Sequence, residues 1–188
     1  MAEDLECWGQ QRDFASLHTK VLYFEKEDVS KFCPEHERFD DTKFKVIMMA
    51  GLPGSGKSKY VKEHYGNWNV LGMDIMREQM GISPHKKKLQ VKVATAMKEA
   101  MRALARDKQN FVIDATNLNH FLRENWINFI RKYNGSVDIV YLEPHMDVIK
   151  KQNAKREDKV DEKVIDQMFF DMEIPCHSEC CLFTWSTH

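Results

Sequence analysis

Residues 44–50, Phe44-Lys45-Val46-Ile47-Met48-Met49-Ala50, are almost wholly apolar and run without interruption into Gly51-Leu52-Pro53-Gly54-Ser55-Gly56-Lys57-Ser58. An apolar run of this length reads as a buried strand. The glycines after it allow a tight curl whose backbone N–H groups point inward and cradle an anion. The spacing is that of a phosphate-binding P-loop, in which the lysine reaches the β- and γ-phosphates and the following hydroxyl joins a magnesium shell. The bland alternative is an ordinary glycine turn between a strand and a helix, and the strand that precedes it argues against that. Gly51, Leu52, Pro53, Gly54, Ser55, Gly56, Lys57, Ser58 and Lys59 are therefore the expected nucleotide-binding residues, with Mg2+ at Ser58. A strand, loop and helix in this order also dictates how the chain must begin to fold, as an α/β unit.

The rest of the chain repeats that alternation. Asn69-Val70-Leu71-Gly72, Asn110-Phe111-Val112-Ile113 and Val137–Leu142 read as further strands. Between them lie helical stretches at about 57–64, 86–106 and 121–133, followed by two charged helices near 145–157 and 161–172 and a short apolar tail with Leu182, Phe183 and Trp185. In 86–106, Leu89, Val93, Ala96, Met97, Ala100, Met101 and Leu104 form one stripe, and Asn134-Gly135 marks the end of 121–133. Alternation of this kind implies parallel strands, with ligands at their carboxyl ends. Residues 1–43 hold one strand-like stretch, Val21–Phe24, and are too polar for a core, so this leader is expected to pack on the body at 44–188.

At 188 residues with net charge −1, the chain suits one α/β domain and carries no global basic field for nucleic acid, although a local patch remains compatible with that. It shows no apolar run of transmembrane length and no signal-peptide layout at Met1-Ala2-Glu3-Asp4, so no membrane is expected and a cytoplasmic location is. Five irregularly spaced cysteines, Cys7, Cys33, Cys176, Cys180 and Cys181, argue for reduced thiols. Cys176, His177, Cys180 and Cys181 invite a zinc reading, but one short segment without paired CxxC spacing is a poor ligand set.

Two acidic signatures join the P-loop at the strand ends. Asp74 and Arg77, three residues apart after the second strand, share a face at a helix start. There a carboxylate can take the proton of an attacking hydroxyl and a guanidinium can clamp an anionic group of the acceptor. Taken alone, the pair is equally a helix cap with a local ion pair. Asp114 closes the third strand. It either holds a magnesium-bound water or a lid arginine, or it serves as a turn aspartate before Asn117. Gln152-Asn153-Ala154-Lys155-Arg156 offers a guanidinium for the transferred phosphoryl, against the commoner fate of a solvated basic face. Lys86, Lys87, Lys88, Lys92 and Arg123 are candidate contacts to a polynucleotide backbone, with the same bland alternative.

With these residues in hand, the chain resembles the polynucleotide 5′-kinase family of P-loop phosphotransferases, in particular the kinase module that bacterial proteins fuse to an HD phosphohydrolase domain. The resemblance covers roughly residues 44–175 and rests on Gly51–Ser58, Asp74-x-x-Arg77, Phe111–Asn117, Val140-Tyr141-Leu142-Glu143 and Gln152-Asn153-x-x-Arg156, in that order. Pro175 through Trp185 is similar to the family's last strand. The resemblance implies an adenylate-kinase-like three-layer P-loop fold with a central parallel sheet and a helical lid at about 145–160. It implies ATP or another NTP as donor, Lys57, Asp74 and Arg156 as catalytic residues, Asp74 as general base, and Arg77 on the acceptor's phosphate. The family often has a second lid arginine where this chain has Gln152, an amide that can bond phosphate without adding charge. No adjacent His-Asp pair or D-x-D-x-T phosphatase motif occurs, so neither of those partner activities is expected.

The function expected is therefore transfer of a γ-phosphoryl group to the 5′-hydroxyl end of RNA or DNA, in nucleic-acid end healing, with a separate end-healing or ligase partner conceivable. A kinase of a small-molecule hydroxyl would present the same loop and base. A nucleotide-dependent switch or binding module would have no use for Asp74 and Arg77 together.

Overall fold

The computed structural model describes residues 41–83, 86–156 and 159–187. The strand-like stretch at 21–24 and the expected packing of the leader lie outside them. Strand β1 is Phe44–Ala50 and leads through the glycine loop to helix α1, Lys57–His64. Next come β2 (Asn69–Leu71), α2 (Met73–Met80), α3 (Lys87–Arg106), β3 (Phe111–Ile113), α4 (His120–Arg131), β4 (Gly135–Leu142), α5 (Met146–Ala154), α6 (Glu162–Asp171) and β5 (Leu182–Ser186).

The five strands form one parallel sheet in the order β2-β3-β1-β4-β5. β1 is central because both its faces are covered: all but Lys45 of its seven residues are buried. All eight residues of β4 are buried too, as parallel strands between helical layers require. On one face Ile47, Met49, Val112, Val140 and Leu142 pack with Val61 of α1, and Tyr60, Tyr65, Trp68 and Val70 close the cluster. On α3, Val93, Met97, Met101 and Ala105 recur at four-residue spacing and are all buried, so this long helix docks by a single stripe. The chain has the three-layer α/β fold of P-loop kinases.

Register brings the functional ends together. Met48, Ile113 and Leu71 lie level across β1, β3 and β2, so the chain leaves all three strands at one edge of the sheet. The apolar tail is the fifth strand, with Phe183 opposite Ile139 of β4. Helix α4 ends earlier than its sequence suggests, because Gly135 already belongs to β4.

Arg123 is corrected by its surroundings. Arg123 is fully buried, and its Nε and Nη2 donate to the Glu179 carboxylate at 2.7 and 3.0 Å. Its Nη1 donates to the carbonyls of Asn117 and Glu173 at 3.0 and 2.8 Å. With every donor direction turned inward it has none for a polynucleotide; it ties α4 to the segment before β5. The Asn117 backbone is left-handed at φ 44°, a conformation asparagine tolerates better than most residues. Its side-chain amide is buried and donates to the Met49 carbonyl at 2.7 Å, pinning the β3 exit to β1.

Candidate active site

Where β1, β2 and β3 end, the loop, α2 and the segment after α5 enclose a cavity of about 650 Å³. It is lined by Lys57 and Ser58 from the loop, Asp74 and Arg77 from α2, Asp114 after β3, and Gln152 and Arg156 from the segment read as a lid. Pro53, Gly54, Gly56 and Lys59 complete the loop side.

The loop holds its shape through close approach. Gly51 has φ 140°, and a Cβ there would sit 2.5 Å from the Leu142 carbonyl oxygen of β4. Gly54 has φ 84°, and its Cβ would sit 2.9 Å from the Ile149 carbonyl oxygen of α5. Any side chain would push the loop off its two supports. The Gly51 N–H also donates to the Thr116 carbonyl at 2.9 Å, so the loop is fastened to the β3 exit as well.

Lys57 is nearly buried, and its ammonium donates to the Gly51 and Leu52 carbonyls at 3.0 and 2.7 Å and to Ser55 Oγ at 3.4 Å. Burial pulls its pKa down to about 8; Asp114 and Asp74 pull the other way, and Arg156 adds to the lowering. One residue on, Ser58 Oγ donates to Asp114 Oδ2 at 2.7 Å. Two hard oxygens at this distance beside a phosphate-binding loop suit magnesium, which takes one or two protein oxygens together with substrate phosphates.

Across the cavity Arg77 pairs with Asp74. The Asp74 side chain is 86% exposed and Arg77 only 21%, so the carboxylate reaches into the opening while the guanidinium is held from behind. Gln90 of α3 does the holding: its Oε1 accepts from Arg77 Nε at 2.8 Å, and its Nε2 donates to the Ser83 carbonyl at 3.1 Å. Nothing in the local sequence points to Gln90, because it acts on a helix brought back by the fold.

Other cations stand apart from this cavity. Lys86, Lys88 and Lys92 are exposed at the start of α3 and do not line it. Glu143, just beyond β4, does not line it either; burial raises its carboxyl to about 7, against a hydrogen bond from Trp185. Burial likewise pushes the Cys180 thiol up to about 12. Among the described residues no group of three or more His, Cys, Asp or Glu is gathered to hold a metal ion. Nor is any helix of the described residues long and apolar enough to cross a membrane.

Comparison with known proteins agrees with this fold. The chain is 23% identical over 137 residues to the L-seryl-tRNA(Sec) kinase of Methanococcus maripaludis, a match that takes in 69% of this chain and 53% of the kinase. It is 27% identical over 142 residues to human heterogeneous nuclear ribonucleoprotein U-like protein 2, covering 68% of this chain and 19% of that protein. Thus it spans about half or less of these relatives' length. Among solved structures, a chain of the Pnkp1/Rnl/Hen1 RNA repair complex superimposes with a TM-score of 0.62 at 18% identity, covering 75% of this chain and 51% of that one. The model of the AAA_33 family, described as an AAA domain, matches residues 46–175, and the chain belongs to that family.

Proposed function

We propose that this protein is a magnesium-dependent polynucleotide 5′-hydroxyl kinase that moves the γ-phosphoryl of ATP or another nucleoside triphosphate onto the 5′-OH end of RNA or DNA, in end healing. The observation that carries the reading is the Asp74–Arg77 pair in the same cavity as Lys57, Ser58 and Arg156. A nucleotide switch needs only the loop side; an exposed carboxylate with a braced guanidinium opposite the phosphates is an acceptor side.

In this reading the loop N–H groups and Lys57 hold the β- and γ-phosphates. A magnesium ion held by Ser58 Oγ, with Asp114 acting through water, would neutralise charge on the phosphate oxygens. Asp74 accepts the proton of the 5′-hydroxyl as its oxygen bonds to the γ-phosphorus and the bond to the β,γ-bridging oxygen breaks. Arg77 engages the acceptor's own phosphate, and Arg156 faces the equatorial oxygens of the transferring group. The products are a nucleoside diphosphate and a 5′-phosphate end. The names of two relatives lend support: one kinase acts on an RNA-borne seryl group, and one neighbour sits in an RNA repair complex. The same neighbour favours a separate end-healing or ligase partner for this chain.

The test is label transfer from γ-labelled ATP and magnesium to 5′-OH RNA and DNA oligonucleotides, beside nucleosides and sugars in the same buffer. Label at oligonucleotide 5′ ends is the expected result. Label confined to a nucleoside or sugar would replace this reading with a small-molecule kinase, and label on nothing would leave a binding module.

A further inference from the structure

Val160, which lines the cavity, is tied down by a single side chain. Asn153, 4% exposed near the end of α5, bonds both backbone groups of Val160: its Nδ2 donates to the Val160 carbonyl at 2.7 Å, and its Oδ1 accepts from the Val160 N–H at 3.1 Å. An amide paired with one residue's N–H and C=O copies a rung of β-ladder, and it fixes Val160 beside the end of α5. Asn153 also touches the P-loop, because its backbone nitrogen lies 3.4 Å from where a Gly54 Cβ would be. The same residue therefore stands between the triphosphate cradle and Val160.

Arg156, whose N–H donates to the Asn153 carbonyl at 3.1 Å, and Lys159 both line the cavity. Lys159 directly precedes the clamped residue, so its backbone is placed by one peptide link to Val160. Other cations around the cavity are already engaged: Lys59 lies 3.7 Å from Glu63, and Arg77 is paired with Asp74. Among the described residues no carboxylate forms an ion pair with Arg156 or Lys159. Gln152, facing the same space, is neutral.

We propose that Lys159 is a second cation for the donor's phosphates, facing them together with Arg156, and that Asn153 is the positioning residue that holds both. This rests on the cavity binding a triphosphate and not on the identity of the acceptor. A mobile lysine on a free loop would lose much side-chain and backbone entropy on engaging phosphate; the clamp removes the backbone part of that cost beforehand.

The experiment is equilibrium titration of the full chain with magnesium-ATP and magnesium-ADP, for wild type, Lys159→Ala, Lys159→Arg, Asn153→Ala and the double Asn153→Ala/Lys159→Ala, with thermal melting of each. A charge-assisted phosphate contact implies about a 5- to 30-fold loss of ATP affinity in Lys159→Ala, with Lys159→Arg within about 3-fold of wild type. Asn153→Ala should weaken ATP by a similar factor or more, and adding Lys159→Ala to it should cost much less than Lys159→Ala costs alone. Unchanged ATP affinity in Lys159→Ala overturns the proposal, as does equal loss in Lys159→Arg. Full additivity of the two substitutions, or equal losses of ATP and ADP affinity that track the melting temperature, reduces Asn153 to a structural residue and overturns its part. A wild-type protein that binds no triphosphate overturns the proposal together with the donor site. ATP binding without label on oligonucleotides leaves it standing and removes only the polynucleotide acceptor.

Discussion

Ser58 Oγ and Asp114 Oδ2 lie 2.7 Å apart although 56 residues separate them in sequence. The bond joins the first turn of α1 to the end of β3, so the β3 carboxylate is held next to the loop lysine's neighbour. Asp114→Asn keeps the size and a hydrogen-bonding oxygen but removes the charge that suits magnesium. We expect it to raise the magnesium concentration needed for half-maximal phosphoryl transfer by about 10-fold or more, in the range found when groups supporting a metal are altered. A magnesium titration at saturating ATP checks this; an unchanged midpoint would leave Asp114 with a structural role.

The lowered pKa of Lys57, about 8, carries a pH signature. A triphosphate favours the charged ammonium, so binding raises that pKa and takes up a proton when the free site is partly neutral. ATP affinity should therefore be level below about pH 7 and fall as pH rises through 8, by up to about 10-fold per unit. Titrations in two buffers of different ionisation enthalpy should report net proton uptake near pH 8. Lys57→Arg, which cannot deprotonate, should abolish the uptake.

How much of this was legible in the sequence follows from which interactions are local. β1 and β4 sit between helical layers, so each reads as a near-continuous apolar run. Strand ends bearing Asp74 and Asp114 follow from the alternation of elements, and the parallel sheet then fixes the edge where they meet the loop. β5 reads as a short apolar tail from its own residues, and as a last strand only through the family resemblance, because one residue of its five is buried and the others are half-buried or exposed. Arg123 looked like one more surface cation of an amphipathic helix, since its partner Glu179 is 56 residues away. Gln90, Asn153 and Lys159 gain their roles from contacts and cavity positions that no local spacing encodes.

The burial of Arg123 leads to a stability prediction. Burial alone disfavours a charged Glu179, but the hydrogen bonds and charge of Arg123, with the Cys176 N–H and His120, outweigh it and hold the carboxyl below its usual range. A depressed folded pKa contributes stability above the unfolded value, and that contribution is lost as pH falls through the folded one. Glu179→Gln should therefore flatten the acid limb of the stability curve below about pH 5, where carboxylates titrate. Arg123→Ala leaves a buried carboxylate without its partner and should cost about 3–5 kcal/mol at neutral pH, measured by urea unfolding. Kinase activity of whatever remains folded should be unaffected at the chemical step, because Arg123 does not reach the cavity.

The most direct test of the account is Asp74→Ala, assayed for both halves of the cavity in one preparation. Asp74 is exposed, pairs with Arg77 and acts on Lys57 through its charge, so its removal should leave magnesium-ATP affinity within about 3-fold of wild type, as expected away from structural features. Loss of a general base implies a fall of about 10²- to 10⁴-fold in single-turnover transfer to a 5′-OH oligonucleotide. Intact ATP binding with transfer lost at that scale is the predicted result. Transfer at the wild-type rate from Asp74→Ala would contradict it.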